Sequence, residues 1–127
     1  MIDGLFQQNN YVATKKMLDA TVLRHEAIAS NLANVERPGY KRIDVAPNFA
    51  TAMQQAMAGG DMSRVENLKP QLAIDSKAVS STLDGNTVQL ENELLKLNQN
   101  GLEHTLETQL VSSSLLRLRM AITGRSA

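Results

Sequence analysis

The chain has 127 residues and no formal net charge, since 13 basic side chains balance 13 acidic ones. This length fits one domain, and the charge balance argues against the basic surfaces that bind nucleic acid or anionic membranes. The sequence contains no cysteine, which excludes disulfide bonds, and no apolar run approaches the roughly 20 residues that span a bilayer.

The first predicted element is an amphipathic helix over residues 5–36. Its apolar residues recur at spacings of three and four, which is typical of a helix with one buried face. We expect this helix to end before Pro38, because the residue that precedes a proline is disfavoured in the α region. The apolar face contains Leu18, Val22, Ile28 and Leu32.

A tight turn is predicted directly after this helix. The segment "RPGY", residues 37–40, fits a type II turn in which Pro38 takes the second position and Gly39 supplies the positive φ of the third. Asn31 and Asn34 come just before it. They either cap carbonyls at the helix end or hydrogen-bond across to the second long helix or the returning loop, as a polar core residue does to set register.

The middle of the chain, residues 37–85, is predicted to be mostly irregular. One short helix is expected near residues 48–58, after Pro47 and before Gly59 and Gly60. Short extended pieces such as "QLAIDS" are possible in the remainder, which otherwise has the mixed polarity of a loop.

The last predicted element is a helix over residues 86–123. Asn86 is expected to be its N-cap, with Gln89 three residues later as a variant of the capping box, and Gly124 is expected to close it. Two apolar stripes run along it, which indicates that it meets more than one neighbour. One stripe contains Leu90, Leu94, Leu97, Leu115, Leu118 and Ile122, and the other contains Leu95, Leu102 and Leu116.

These patterns predict an all-α fold in a single domain, residues 1–127. The two long helices should pair as a coiled-coil-like hairpin. We expect one leucine set to pack on the chain's own N-terminal helix, near Leu18, Val22, Ile28 and Leu32, and the other set to pack on a different subunit. Such a thin hairpin cannot cover both stripes, so the chain is expected to need neighbours.

The sequence shows no catalytic, metal or cofactor site. His25 and His104 each adjoin a glutamate, but adjacent helix residues point in different directions, and the Glu-x-x-His pattern of helical metal sites is absent. Nucleophile-elbow and phosphate-loop motifs are also absent. The basic cluster Arg37, Lys41 and Arg42 is interpreted either as a solvated loop or as a charged contact to a partner, a role that suits arginine.

Two segments carry a resemblance to a known family. "SNLANVERPGYKR" resembles the Asn-x-x-Asn-x-x-x-Pro-Gly-Tyr signature of flagellar axial proteins, which build the rod and hook. Ser30 and Arg37 depart from it, where asparagine and threonine are common. Residues 84–125 are similar to the C-terminal segment of proximal rod members, in which Asp-Gly-Asn opens the last helix and Ala-Ile-x-Gly-Arg ends it. The residues that match the first signature are Asn31, Leu32, Ala33, Asn34, Pro38, Gly39 and Tyr40.

The resemblance implies a non-enzymatic subunit of the flagellar basal-body rod, the drive shaft that transmits torque across the periplasm. Its implied partners are further copies, other rod proteins, the membrane-embedded basal-body ring with its rod adaptor, and the flagellar type III export apparatus. The polar N-terminus "MIDGLFQQNN" predicts export without a cleaved signal peptide. Two other classes remain open: a small helical export chaperone or adaptor, and a helical metalloenzyme.

Overall fold

The computed structural model describes residues 2–124, with side chains from Gln8 onward, and most of that range is helical. Two long helices lie antiparallel, and two short helices and a small sheet connect them. In chain order the elements are α1 (Ile2–Ala33), β1 (Ile43–Val45), α2 (Asn48–Ala58), α3 (Met62–Asn67), β2 (Leu72–Ile74) and α4 (Leu90–Thr123). Within this range, no helix combines the length and the apolar character that a membrane crossing needs.

The contact between α1 and α4 is largely polar along its centre. Glu93, Asn100 and Glu107 are buried on α4 at intervals of seven residues. Thr21 and Asn31 of α1 bond to these side chains. A seven-residue interval keeps side chains on one side of a long helix, as in a coiled coil, but here the repeated residues are polar.

A two-stranded antiparallel sheet corrects the all-α prediction. β1 pairs with β2 in the register Ile43↔Ile74, Asp44↔Ala73 and Val45↔Leu72. Each strand has only three residues, too few for alternation to indicate a strand from sequence. β2 lies within "QLAIDS", the segment whose sequence permits extended structure.

The apolar core lies between α1 and the two short helices. It consists of small residues from α1 and mostly larger ones from β1, α2 and α3. Its buried members are Ala13, Ala20, Val45, Phe49, Met53, Ala56 and Val65. The prediction of one short helix over residues 48–58 is confirmed as α2, and α3 is an additional helix, capped by the Asp61 carboxylate that accepts from the Arg64 N–H at 3.0 Å.

The ends of the long helices differ from the prediction. α1 ends at Ala33 rather than near residue 36, and α4 begins at Leu90 rather than at Asn86. The α4 N-cap is Gln89, whose side chain makes no capping bond. Gly124 does close α4 with φ +65° in the left-handed region, as predicted.

Candidate functional site

The turn after α1 has the backbone that its sequence requires. The Tyr40 N–H donates to the Arg37 carbonyl at 3.3 Å, and Gly39 has φ +73°, which confirms the prediction of a positive φ. A Cβ atom at Gly39 would meet nothing within 4 Å. Glycine is therefore needed here for its backbone conformation and not for space.

Asn31, the first motif asparagine, joins three parts of the chain. Its Nδ2 donates to the Ile43 carbonyl at 2.8 Å, and its Oδ1 accepts from the Ile43 N–H at 3.0 Å. The Tyr40 hydroxyl also donates to Oδ1 at 3.2 Å, and Nδ2 lies 3.3 Å from Glu93 Oε2. Asn31 is fully buried, so this amide is satisfied by bonds to the returning strand and to the second helix.

The second motif asparagine acts locally. Asn34, the residue after α1, donates from Nδ2 to the Ser30 carbonyl in the last turn of the helix at 2.8 Å. Of the two alternatives predicted from sequence, Asn31 hydrogen-bonds across to the returning strand and the second long helix. Asn34 caps a carbonyl at the end of its own helix. Ser30, a departure from the family signature, places its Oγ 3.1 Å from the Tyr40 hydroxyl.

Asn86 caps α1 rather than α4. Its Nδ2 lies 2.9 Å, 3.0 Å and 2.8 Å from the carbonyls of Asn34, Val35 and Arg37. Its Oδ1 accepts from the Val88 N–H at 2.8 Å. Carbonyls after the end of a helix have no intrahelical partner, and Asn86 supplies one from about fifty residues further along the chain. The N-cap prediction was wrong because the side chain faces the other helix.

Arg42 occupies the centre of the junction between the end of α1, the sheet and the start of α4. Its Nε donates to Glu93 Oε1, and its first terminal nitrogen donates to Asp44 at 3.0 Å and to Asp75 at 2.8 Å. Its backbone N–H donates to Thr87 Oγ1 at 2.7 Å. Only 4% of the Arg42 side chain and 1% of the Glu93 side chain are exposed. Arg42 is therefore a buried structural cation, and both interpretations from the sequence, a solvated loop or a partner contact, were wrong for it.

The electrostatics of the junction favour the ionised forms. Burial opposes the charge on Arg42, but hydrogen bonds and charges from Glu93 and Asp44 outweigh it and raise the pKa of Arg42 above its usual value. Burial likewise opposes the charge on Asp44, but bonds from the Val45 N–H and Arg42 hold the pKa of Asp44 below its usual value. Together, these ionic contacts tie β1 and β2 to the start of α4.

A second polar contact lies further along the helix pair. Thr21 Oγ1 donates to Glu107 Oε2 at 2.9 Å, and Asn100 Nδ2 donates to the Thr21 carbonyl at 2.8 Å. Burial raises the pKa of Glu107, although the Thr21 bond opposes this shift. The regular interval of Glu93, Asn100 and Glu107 is visible in the sequence and could have identified this contact.

The predicted leucine sets are not buried between α1 and α4. Ile28 of α1 is buried, but Leu18 and Leu32 are half-buried and Val22 is exposed. The correction follows from the polar residues above, which take the positions that face α1. Whether the leucines contact other subunits stays a prediction. Exposed members are Leu90, Leu94, Leu95, Leu102, Leu115, Leu116 and Ile122, and half-buried ones are Leu97 and Leu118.

The remaining motif residues and the histidines lie near the surface. Leu32 is half-buried, while Ala33 and Pro38 are exposed. His25 and His104 are exposed and border a hollow of about 400 Å³ beside Gly101. Among the side chains from Gln8 to Thr123, no three His, Asp or Glu residues are grouped to hold a metal ion.

The sequence is similar to several known proteins along most of its length. The chain is 28% identical over 111 residues to the flagellar basal body rod protein FlgB of Aeromonas hydrophila, an alignment that covers 80% of this chain and 83% of the relative. It is 26% identical over 126 residues to FlgB of Salmonella typhimurium, covering 87% and 90%. The chain is similar to flagellar basal body rod proteins. FlgB of Aquifex aeolicus is likewise 26% identical over 114 residues, covering 88% and 91%.

The similarity to FlgB proteins extends over most of the fold. Because each of these alignments covers at least 80% of the chain, each must include residues of both α1 and α4. FlgB proteins from bacteria as different as Borrelia hermsii and Cereibacter sphaeroides also match. No family model matches the chain.

Proposed function

We propose that this chain is a structural, non-enzymatic subunit of the bacterial flagellar basal-body rod. The observation that carries the proposal is the similarity to FlgB rod proteins of several bacteria across most of the chain. No observation favours the alternative of an export chaperone or adaptor. The signature at Asn31 and Pro38 to Tyr40 supports the same function.

The geometry of the junction suits a part that transmits torque. Arg42, Asn31 and Asn86 connect the end of α1, the sheet and the start of α4 through buried hydrogen bonds and ion pairs. Paired buried polar groups rigidify a structure, and every side-chain nitrogen of these three residues except the second terminal nitrogen of Arg42 is hydrogen-bonded. Twisting one long helix against the other would break these bonds, so the hairpin resists deformation.

The exposed faces suit assembly. α4 leaves large apolar side chains such as Leu95, Leu102 and Leu106 in solvent, and contiguous exposed apolar surface marks sites of protein contact. The partners in this proposal are further copies, other rod proteins, and the basal-body ring with its rod adaptor. In this proposal the chain reaches the periplasmic rod through the flagellar type III export apparatus.

The turn at Gly39 provides the test. Gly39→Val and Gly39→Asn both add a Cβ into open space, but only asparagine tolerates the left-handed region well. In a strain that lacks the gene, Gly39→Asn should restore swimming, and Gly39→Val should be exported yet leave rods incomplete.

Purified basal bodies give the direct measurement. Immunodetection should find the wild-type chain and Gly39→Asn in them, with Gly39→Val depleted. A chain that is absent from purified basal bodies but associated with the export apparatus would refute the rod proposal and favour the chaperone. Normal motility with Gly39→Val would show that the turn is dispensable.

A further inference from the structure

An apolar groove lies between α1, α2 and the middle of α4. Its volume is about 380 Å³. We call it the methionine groove, and its apolar lining comes from Ala13, Met17, Ala20, Phe49, Ala50, Met53 and Met57. Methionine side chains are flexible and polarisable, so a surface rich in them can adapt to an inserted apolar group.

A buried carboxylate without a close counter-ion borders this groove. Glu107 is 6% exposed, and its hydrogen-bond partner is the Thr21 hydroxyl. Among the side chains that the structure describes, no Lys or Arg nitrogen lies within 4 Å of it. Glu103 also lines the groove, where Arg24 contacts both Asp44 at 3.1 Å and Glu103 at 3.7 Å. Arg24 and His104 act on Glu107 only at longer range, and burial still raises the pKa of Glu107. A buried charge without a counter-ion is unfavourable, so the groove is suited to receive a cation.

The end of α4 has the complementary character. After Glu107 the described chain contains no acidic residue, while Arg117 and Arg119 are exposed. Leu110, Leu115 and Leu116 on the same segment are about half exposed. Arg117 is ten residues from Glu107 in the chain, about 15 Å along the helix axis, and the two form no ion pair.

We propose that the methionine groove of one copy holds the end of α4, residues 110–123, of a second copy. Leucine side chains of that segment enter the groove, and Arg117 or Arg119 pairs with Glu107. This inference rests on the proposed rod function and identifies one subunit contact within it. Because groove and helix end are different surfaces, the contact is heterologous, and such contacts build an open helical array wherever the rotation between copies does not close into a ring.

In a single chain the groove disfavours the ionised form of Glu107, and the proposed contact would reverse this preference. Burial raises the pKa of Glu107, which means that the single chain disfavours the carboxylate. An arginine from a second copy would favour the ionised form. Replacing Glu107 should therefore leave the single chain folded while it weakens association, and a merely structural residue would not separate these two measurements.

Cysteine crosslinking tests the contact directly, because the chain has no native cysteine. An untagged Met53→Cys chain is mixed with a tagged Leu116→Cys chain and oxidised. A disulfide between tagged and untagged chains can form only between copies, and we expect it as the main product. A control pair, Met53→Cys with tagged Ser63→Cys on α3, should give little product.

Charge variants test the pairing by sedimentation velocity of the full-length chain. Glu107→Gln and the double variant Arg117→Glu/Arg119→Glu should each weaken self-association at least about tenfold, since a hydrogen bond to a charged group is lost. The control Arg64→Glu/Lys69→Glu changes the net charge as much as the double arginine variant does and should associate like wild type.

Three results would overturn the inference: a chain that stays monomeric, an array that forms without the 53–116 crosslink, or crosslinks from 53 to a different rod protein in assembled rods. These outcomes are separate from the rod proposal itself. A chain found in purified basal bodies without the 53–116 crosslink retains the proposed function and loses only this contact.

Discussion

Removing the buried cation of the junction should destabilise the fold strongly. In Arg42→Met, Glu93 would stay 1% exposed and keep only the Asn31 amide at 3.3 Å as a partner. Asp44 would keep Arg24 at 3.1 Å, and Asp75 is about a quarter exposed to solvent. The loss therefore falls mainly on Glu93, and breaking a buried pair in this way costs about 3–5 kcal/mol.

A double variant separates the charge from the packing. In Arg42→Met/Glu93→Leu no buried charge is left unpaired, and exchanging a whole buried ion pair for apolar residues is often nearly neutral. The double variant should thus be more stable than Arg42→Met alone by about 1 kcal/mol or more. Asn31 keeps its two bonds to the Ile43 backbone, so the strand stays attached.

The assay is urea unfolding followed by circular dichroism at pH 7, with a stabilising osmolyte so that the wild type is fully folded. Arg24→Met is the control, since its side chain is about a third exposed and such pairs contribute about 0–1 kcal/mol. If Arg42→Met costs no more than Arg24→Met, or if the double variant loses the sum of both single losses, then the pairing of Arg42 with Glu93 does not stabilise the junction.

Three further variants test other parts of the fold. Asn86→Ala should cost about 1–3 kcal/mol in urea unfolding, because the part-buried carbonyls after α1 lose their donor. Asn92→Ala, at an exposed side chain, should cost little, and equal losses would contradict the cap. Gly101→Ala should stabilise the chain by about 0.5–1 kcal/mol, since a Cβ there meets nothing within 4 Å, and a lower melting temperature would contradict this. Because the pKa of Glu107 is raised in the folded chain, this group stabilises the fold at pH values below its usual pKa of 4.5, and this contribution is lost as pH rises through the folded pKa. When the pH is lowered from 7 to 4, Glu107→Gln should therefore gain less stability than wild type. The lowered pKa of Asp44 has the opposite sign, because its contribution is lost as pH falls through a value below 3.8.

Local signals in the sequence determined where α2 begins and ends and where the chain turns. Pro47 and Gly59 delimit α2 as predicted, and Gly39 and Gly124 adopt the positive φ that their positions indicate. These features depend on the conformational preferences of one or two residues, so they can be predicted without knowing what lies opposite. The motif at Asn31 likewise indicated the rod family, and the chain is similar to FlgB rod proteins.

The sequence showed which faces of the second long helix are apolar, but not which neighbour each face meets. Periodicity identified two apolar stripes on α4, but it could not say which side meets α1. In the structure Glu93, Asn100 and Glu107 face α1 and many of the stripe leucines are exposed. Apolar periodicity reports that a surface avoids water, and it does not report whether the same chain or another one covers it.

Only the tertiary structure decided the roles of Asn86 and Arg42. A polar residue shortly before an apolar helical run fits an N-cap, yet the Asn86 amide bonds to carbonyls some fifty residues earlier in the chain. Arg42 is in a basic, turn-rich segment, and its partner Glu93 is fifty-one residues away. Local spacing cannot predict such pairs. The packing of the whole chain decides which distant groups come within hydrogen-bond reach of a side chain.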